Sequence, residues 1–188
     1  MLHFAMVEIL PAAVFLVPLY LLLNKVYFHS LPKAALSFLF AFYLCAVYAL
    51  VGLPNITYIR FDPSGNLIPF RDMLNGLRST VQNVLLFVPL GIFLPLFGDR
   101  FQRMRHTVLF GFGMSLVIEA AQIFTYRATD VNDLITNTVG TLLGFFLGNI
   151  LWRIIPLKPA QPCGDLAIPF GTAACVMFFL QPFVVALL

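Results

Sequence analysis

Glu119, Gln122, Arg127, Asp130, Asp133 and Asn137 all fall within "EAAQIFTYRATDVNDLITNTVG", residues 119–140. Two kinds of chemistry suit such a set. A carboxylate shielded from water can move a proton, since desolvation raises its pKa and a neighbouring arginine lowers it. A guanidinium flanked by amides can instead grip a phosphate or carboxylate through its planar fork. Glu119, Asp130 and Asp133 as oxygen ligands of Mg²⁺ or Ca²⁺ form a lesser alternative, because helix capping already accounts for both aspartates. No metal and no cofactor is therefore expected. The stretch 54–80 supplies more cations: Arg60, Arg71 and Arg78 alternate with aromatics and with Asp62 and Asp72, and Gln82 and Asn83 follow. The chain holds no HExxH, no GxSxG and no Ser/His or Cys/His pairing, and His3, His29 and His106 are scattered.

The elements that must carry these residues are membrane helices. The chain is 61% hydrophobic and only 10% charged, with a mean hydropathy of +0.95, whereas soluble domains carry about 25% charged residues. Six runs approach or exceed the roughly 18 apolar residues that cross a bilayer: about 4–23, 34–53, 80–97, 107–126, 134–155 and 167–188. The expected fold is all-α, a polytopic bundle of about six transmembrane helices forming one domain over 1–188. An interfacial or re-entrant segment is expected between helices 2 and 3, with an amphipathic helix over 69–79. The start "MLHFAMVEIL" lacks the basic flank of a signal peptide and reads as a retained first span. Cys45, Cys163 and Cys175 show no metal or redox spacing and read as unpaired packing residues.

Lys and Arg sort by loop. Lys25, Lys33, Arg100, Arg103, Arg105, Arg153 and Lys158 fall on one side of a six-span arrangement, and Arg60, Arg71, Arg78 and Arg127 on the other. Positive charge in short loops marks the cytoplasm, so both termini are expected outside, in a multi-pass protein of the cytoplasmic membrane. The "GDRFQRMRH" cluster is short and sits between spans, so no nucleic-acid partner is expected.

On a helix over 107–126, Thr107, Gly111, Ser115, Glu119, Gln122 and Tyr126 share one face. Glu119 then lies roughly 10 Å below the outer end. An acid at the centre of a span costs about 2.5 kcal/mol or more, so it is expected to face a partner or cavity. Asp130 reads as the N-cap of the next helix with Asp133 at its third position. Gly140, Gly144 and Gly148 follow as GxxxGxxxG, a seam for close helix packing against another helix or another subunit.

Three stretches resemble the VanZ-like membrane proteins associated with teicoplanin resistance: "NLIPFRD" (66–72), "QNVLLFVPLGIFLP" (82–95) and "SLVIEAAQIFTYRATDVNDLITNTVG" (115–140). Their order and spacing follow that family over about 58–150. The resemblance carries over Asn66, Pro69, Phe70, Arg71, Asn83, Pro89, Gly91, Glu119, Gln122, Arg127, Asp130, Asp133, Asn137 and Gly140 as motif residues without assigned roles. It implies a bacterial cell-envelope protein that lowers susceptibility to lipoglycopeptides. Teicoplanin carries an acyl tail and acts on lipid-linked wall precursors at the outer leaflet. The expected ligand is accordingly an anionic headgroup of a membrane lipid, a lipid-linked cell-wall precursor or the lipoglycopeptide. Arg71, Arg78 and Arg127 would contact the anion, Asn83 and Asn137 would add hydrogen bonds, Asp130 and Asp133 would hold the arginines, and Asn66, Glu119 and Gln122 complete the binding set. The alternative is a hydrolase or transferase acting on such a lipid, with Glu119 or Asp133 as acid or base. Transport and a partner-binding scaffold carry less weight.

Overall fold

The computed structural model describes residues 2–62, 64–66, 68–70, 76–125, 129–154 and 164–185, the first ten of these by backbone alone. Seven α-helices account for most of them: α1 (Leu2–Leu23), α2 (Leu31–Val51), α3 (Leu77–Phe93), α4 (Met104–Gln122), α5 (Val131–Ile154), α6 (Ala167–Cys175) and α7 (Gln181–Val185). A π-helical stretch, Val176–Leu180, joins α6 to α7, so these two form one rod. The chain divides into two compact units, Met1–Ile59 with Cys163–Leu188, and Arg60–Pro162.

In the first unit the α6–α7 rod packs against α1 and α2. Its interior is tied by polar contacts that lipid cannot offer: the Tyr20 hydroxyl lies 3.4 Å from Ser37 Oγ and 3.3 Å from Thr172 Oγ1, joining three helices. Phe40, fully buried, meets Phe170 edge to face at 5.7 Å. Cys45 is buried and Cys175 exposed, and both are free thiols; Cys163 lies outside the described residues.

The second unit holds α3, α4 and α5. Glycines set its geometry. A Cβ at Gly140 would strike the Val84 carbonyl and one at Gly144 the Val88 carbonyl, while one at Gly148 would come within 3.1 Å of Ile92 Cα. These contacts advance together along both helices, so α3 and α5 run parallel with backbones touching. The seam expected from GxxxGxxxG is thus filled within the unit by α3. Trp152 Nε1 donates to the Ile92 carbonyl at 3.2 Å and closes its far end. Helix α4 runs antiparallel to α5, with Gly111 against Thr141 and Ser115 against Asn137.

Large apolar side chains face outward, among them Leu109, Leu116 and Val117 on α4 and Phe146, Leu147 and Ile150 on α5. Such broad apolar exposure suits lipid and not water. Among the described residues four helical stretches are long and apolar enough to cross a membrane: Leu31–Val51, Leu77–Leu96, Val131–Ile154 and Ala167–Val185. The protein is an all-α, multi-pass membrane protein. The expectation of six spans is met only in part. The described side chains near the N-terminus form a shorter apolar helix, Ala12–Phe28. Helix α4 falls short because Arg105, His106, Glu119 and Gln122 dilute its 19 residues. The amphipathic helix expected over 69–79 is not seen as such. Pro69 and Phe70 form a turn, 77–79 open α3, and 71–75 lie outside the described residues.

Candidate functional site

The polar end of the second unit is built by threading an extended segment between two helix ends. The Arg60 N–H donates to the Phe124 carbonyl at 3.0 Å and the Asp62 N–H to the Ile123 carbonyl at 2.7 Å. The Thr129 N–H then donates to the Ser64 carbonyl at 3.3 Å. Two short strands follow, β1 (Gly65–Asn66) and β2 (Thr129–Asp130), paired parallel with Asn66 opposite Asp130. Gly65 permits the approach, since a Cβ there would sit 2.6 Å from the Thr129 carbonyl oxygen. Two-residue strands carry no hydrophobic period, so nothing in the sequence announces this pairing.

Asp130 caps α5. Its Oδ1 accepts the Asn132 N–H at 2.9 Å and lies 3.2 Å from the donating Asn66 Nδ2. The Asp130 N–H in turn donates to Glu119 Oε2 at 2.8 Å. In an ordinary capping box that acceptor comes from the third residue of the same helix, the position of Asp133. Here the C-terminal end of α4 supplies it instead. Glu119 is only 5% exposed, and the carbonyl of the same residue accepts from Thr129 Oγ1 at 3.2 Å. Its place in the span thus has a structural cause, a partner at the start of the next helix.

The loop bearing "LIPF" is held by the same cap. Asn66 Oδ1 accepts the Ile68 N–H at 3.2 Å, and Asn132 Oδ1 accepts the Phe70 N–H at 2.6 Å. Phe70 has φ of 63°, a left-handed conformation costly for a bulky residue. The Asn132 amide holds it there. Asn132 is the contact missed from sequence; its signal was its place directly behind the cap and first helical residue of α5. Phe61, Ile68 and Phe70 expose their apolar side chains around this polar end. In the same segment the Ser64 N–H, 3.0 Å from Asp62 Oδ1, and then the Ser64 hydroxyl hold the Asp62 carboxyl below its ordinary range. The stabilisation from that turn is present above the ordinary carboxylate pKa and lost as pH falls through the lowered one.

Asn66, Glu119 and Asp130 are therefore joined by direct hydrogen bonds. Asp133 is half-buried on the first turn of α5, and its carbonyl accepts from Thr136 Oγ1. Gln122 is buried at the end of α4, where its carbonyl accepts from Thr125 Oγ1. Asn137 lies deeper, between α4 and α5, where its Nδ2 donates to Ser115 Oγ at 2.9 Å. Arg78 is exposed on the first turn of α3 and Asn83 is half-buried further along it. Arg71 and Arg127 lie outside the described residues. The polar stripe of α4 faces inward: Thr107, Gly111, Ser115, Glu119 and Gln122 are all buried. Among the described residues no three His, Cys, Asp or Glu side chains group as metal ligands would.

This geometry falls inside a stretch that matches a known family. The VanZ/LLP1 family model aligns with residues 38–153, more than half of the chain. The chain belongs to the VanZ/LLP1 family. The VanZ/LLP1 match takes in most of α2, all of α3 and α4, nearly all of α5 and every candidate residue from Asn66 to Asn137. The chain is also 40% identical over 85 residues to Protein VanZ of Enterococcus faecium, a match covering 44% of this chain and 50% of that protein. It thus spans about half the length of that curated VanZ relative. No solved structure gave a match.

Proposed function

We propose that this VanZ/LLP1 protein works in the bacterial cytoplasmic membrane as a binder of anionic headgroups at the outer leaflet, lowering susceptibility to teicoplanin-type lipoglycopeptides. The headgroup would belong to a phospholipid or a lipid-linked wall precursor. One observation carries the reading: α3 and α5 run parallel, so both begin at the end where α4 finishes and the β1–β2 pair sits. Helix N-termini present partial positive charge to an anion, and the start of α3, which has no side-chain cap, adds unpaired N–H groups, whereas that of α5 is capped by Asp130. Arg78 opens α3 at that end, and Arg71 and Arg127 lie in the two connections leading to it. Asn66, Asn83 and Gln122 would add hydrogen bonds, and Asp130 and Asp133 would hold the guanidiniums, while Asn137 serves the α4–α5 interface through Ser115. The exposed Phe61, Ile68 and Phe70 around the cluster suit a ligand whose polar head ends in an acyl chain.

The hydrolase or transferase reading, with Glu119 or Asp133 as acid or base, has less support. Glu119 Oε2 accepts a backbone N–H, which serves a cap better than a proton shuttle. Binding of labelled wall-precursor lipid to the purified protein decides between them. Arg71→Ala with Arg127→Ala is expected to weaken binding roughly a hundredfold, at about 1.5 kcal/mol or more per charged hydrogen bond, and to abolish teicoplanin protection. Unchanged binding and protection would sink the headgroup reading, and turnover of the lipid would favour the enzyme.

Six spans with both termini outside complete the proposal. Ser64, exposed beside β1, is expected to react as Ser64→Cys with an impermeant maleimide in intact cells lacking the native cysteines. Gln102→Cys should react only after permeabilisation. The reverse pattern would invert the placement.

A further inference from the structure

The opposite end of the second unit carries a cluster that this reading leaves unused. Leaving α3, the chain makes a 3-10 turn at Asp99–Gln102 and enters α4 at Met104. A surface cleft of about 430 Å³ lies there, lined by Asp99, Arg100, Arg103, Arg105 and His106. Helix α4 spans about 28 Å at 1.5 Å per residue, so this cleft and the Asp130 cap lie at the two ends of one helix.

Three guanidiniums share the cleft with one carboxylate, and that carboxylate is engaged: Asp99 Oδ1 accepts from Gln102 Nε2 at 3.2 Å. Among the described residues none of the three arginines forms an ion pair. Arg103 occupies the N-cap position of α4 and gives no side-chain cap, so the helix start offers N–H groups and its positive dipole end. His106 adds a buried Nδ1 without a partner among the described residues, able to donate in its N–H form. Topology asks only for positive charge in this loop. It does not ask that the charges converge on a cleft beside an uncapped helix start and an unpaired imidazole nitrogen.

We propose that the 99–106 turn is a phosphate-binding site, with Arg100, Arg103 and Arg105 gripping the oxygens and the start of α4 completing the shell. Two sources offer that chemistry at a membrane face, a phospholipid headgroup and free phosphate. The site is separate from the Asp130 end and stands whether or not the headgroup reading there holds.

The full chain in a phosphate-free maltoside detergent is titrated with phosphatidylglycerol in mixed micelles and, separately, with inorganic phosphate. Arg103→Gln is expected to weaken binding roughly tenfold, the effect of one charged hydrogen bond. Asp99→Asn should tighten it. Replacing all three arginines by lysine keeps the charge that fixes topology but removes the forks, and is expected to weaken binding several-fold. Each titration is repeated in an Arg71→Ala/Arg127→Ala background, which removes headgroup binding at the Asp130 end, and the binding that Arg103→Gln weakens there is the component assigned to the 99–106 turn. Phosphatidylglycerol bound alone identifies a lipid site, and inorganic phosphate bound identifies a soluble anion; either supports the proposal. No saturable binding of either probe, or a triple-lysine variant that equals the wild type, overturns it.

Discussion

Gly144→Val is expected to be the most damaging single change in the protein, costing about 3 kcal/mol or more of stability. The side chain has nowhere to go. An added Cβ alone would strike the Val88 carbonyl and lie 3.0 Å from Val88 Cα, and these are backbone atoms that cannot rotate away. The contact is reciprocal, because Gly91 of α3 presses on the Thr141 carbonyl and on Phe145 N of α5. Separating the helices would break the seam from Gly140 to Gly148 together. In lipid that loss is not offset by apolar burial, since helix association there rests on packing and interhelical hydrogen bonds. Gly113→Ala is the matched control. A Cβ there meets nothing within 4 Å, and the change in a helix interior should stabilise by roughly 0.5–1 kcal/mol. Melting of detergent-solubilised variants, followed by size-exclusion fluorescence, reads both. A Gly144→Val protein that melts with the wild type would refute the backbone-to-backbone seam.

How much of this is legible in the sequence depends on the range of each signal. Helices α2, α3 and α5 stand out because their apolar runs are long and local. The inward stripe from Thr107 to Gln122 follows from helical spacing alone, and so does the glycine face of α5. That face's partner does not, since any smooth helix satisfies GxxxGxxxG and only the fold selects Val84, Val88 and Ile92 of α3. Asp130 as a cap is readable because capping is a three-residue pattern. The acceptor for its N–H is not, because Glu119 sits eleven residues away on another helix. The β1–β2 pair is too short to leave a period. Asn137 shows the limit of reasoning by proximity in sequence: it shares a stretch with Asp130 and Asp133, yet its amide turns to Ser115 within the helix interface.

Glu119 separates structural from chemical use of the same carboxyl, and a pair of substitutions makes the separation measurable. Glu119→Ala removes the acceptor of the Asp130 N–H at a half-buried position. The expected loss is about 2 kcal/mol, combining an unsatisfied backbone donor with a weakened start of α5. Glu119→Gln keeps an oxygen at the end of a side chain of the same length, so the cap survives and most of the stability with it. Thr129 Oγ1 holds the carbonyl of residue 119 in either variant, because that contact is to backbone. Hydrogen exchange at the Asp130 amide should accordingly be slow in the wild type and in Glu119→Gln, and fast in Glu119→Ala. A slow amide in Glu119→Ala would mean the cap does not depend on this carboxylate. Function then gives the second reading of the same pair. A headgroup binder whose Glu119 serves α5 keeps teicoplanin protection in Glu119→Gln and loses it in Glu119→Ala together with the cap. If Glu119→Gln stays folded with a protected Asp130 amide and still loses protection, the negative charge itself is in use, and acid–base chemistry becomes the better account.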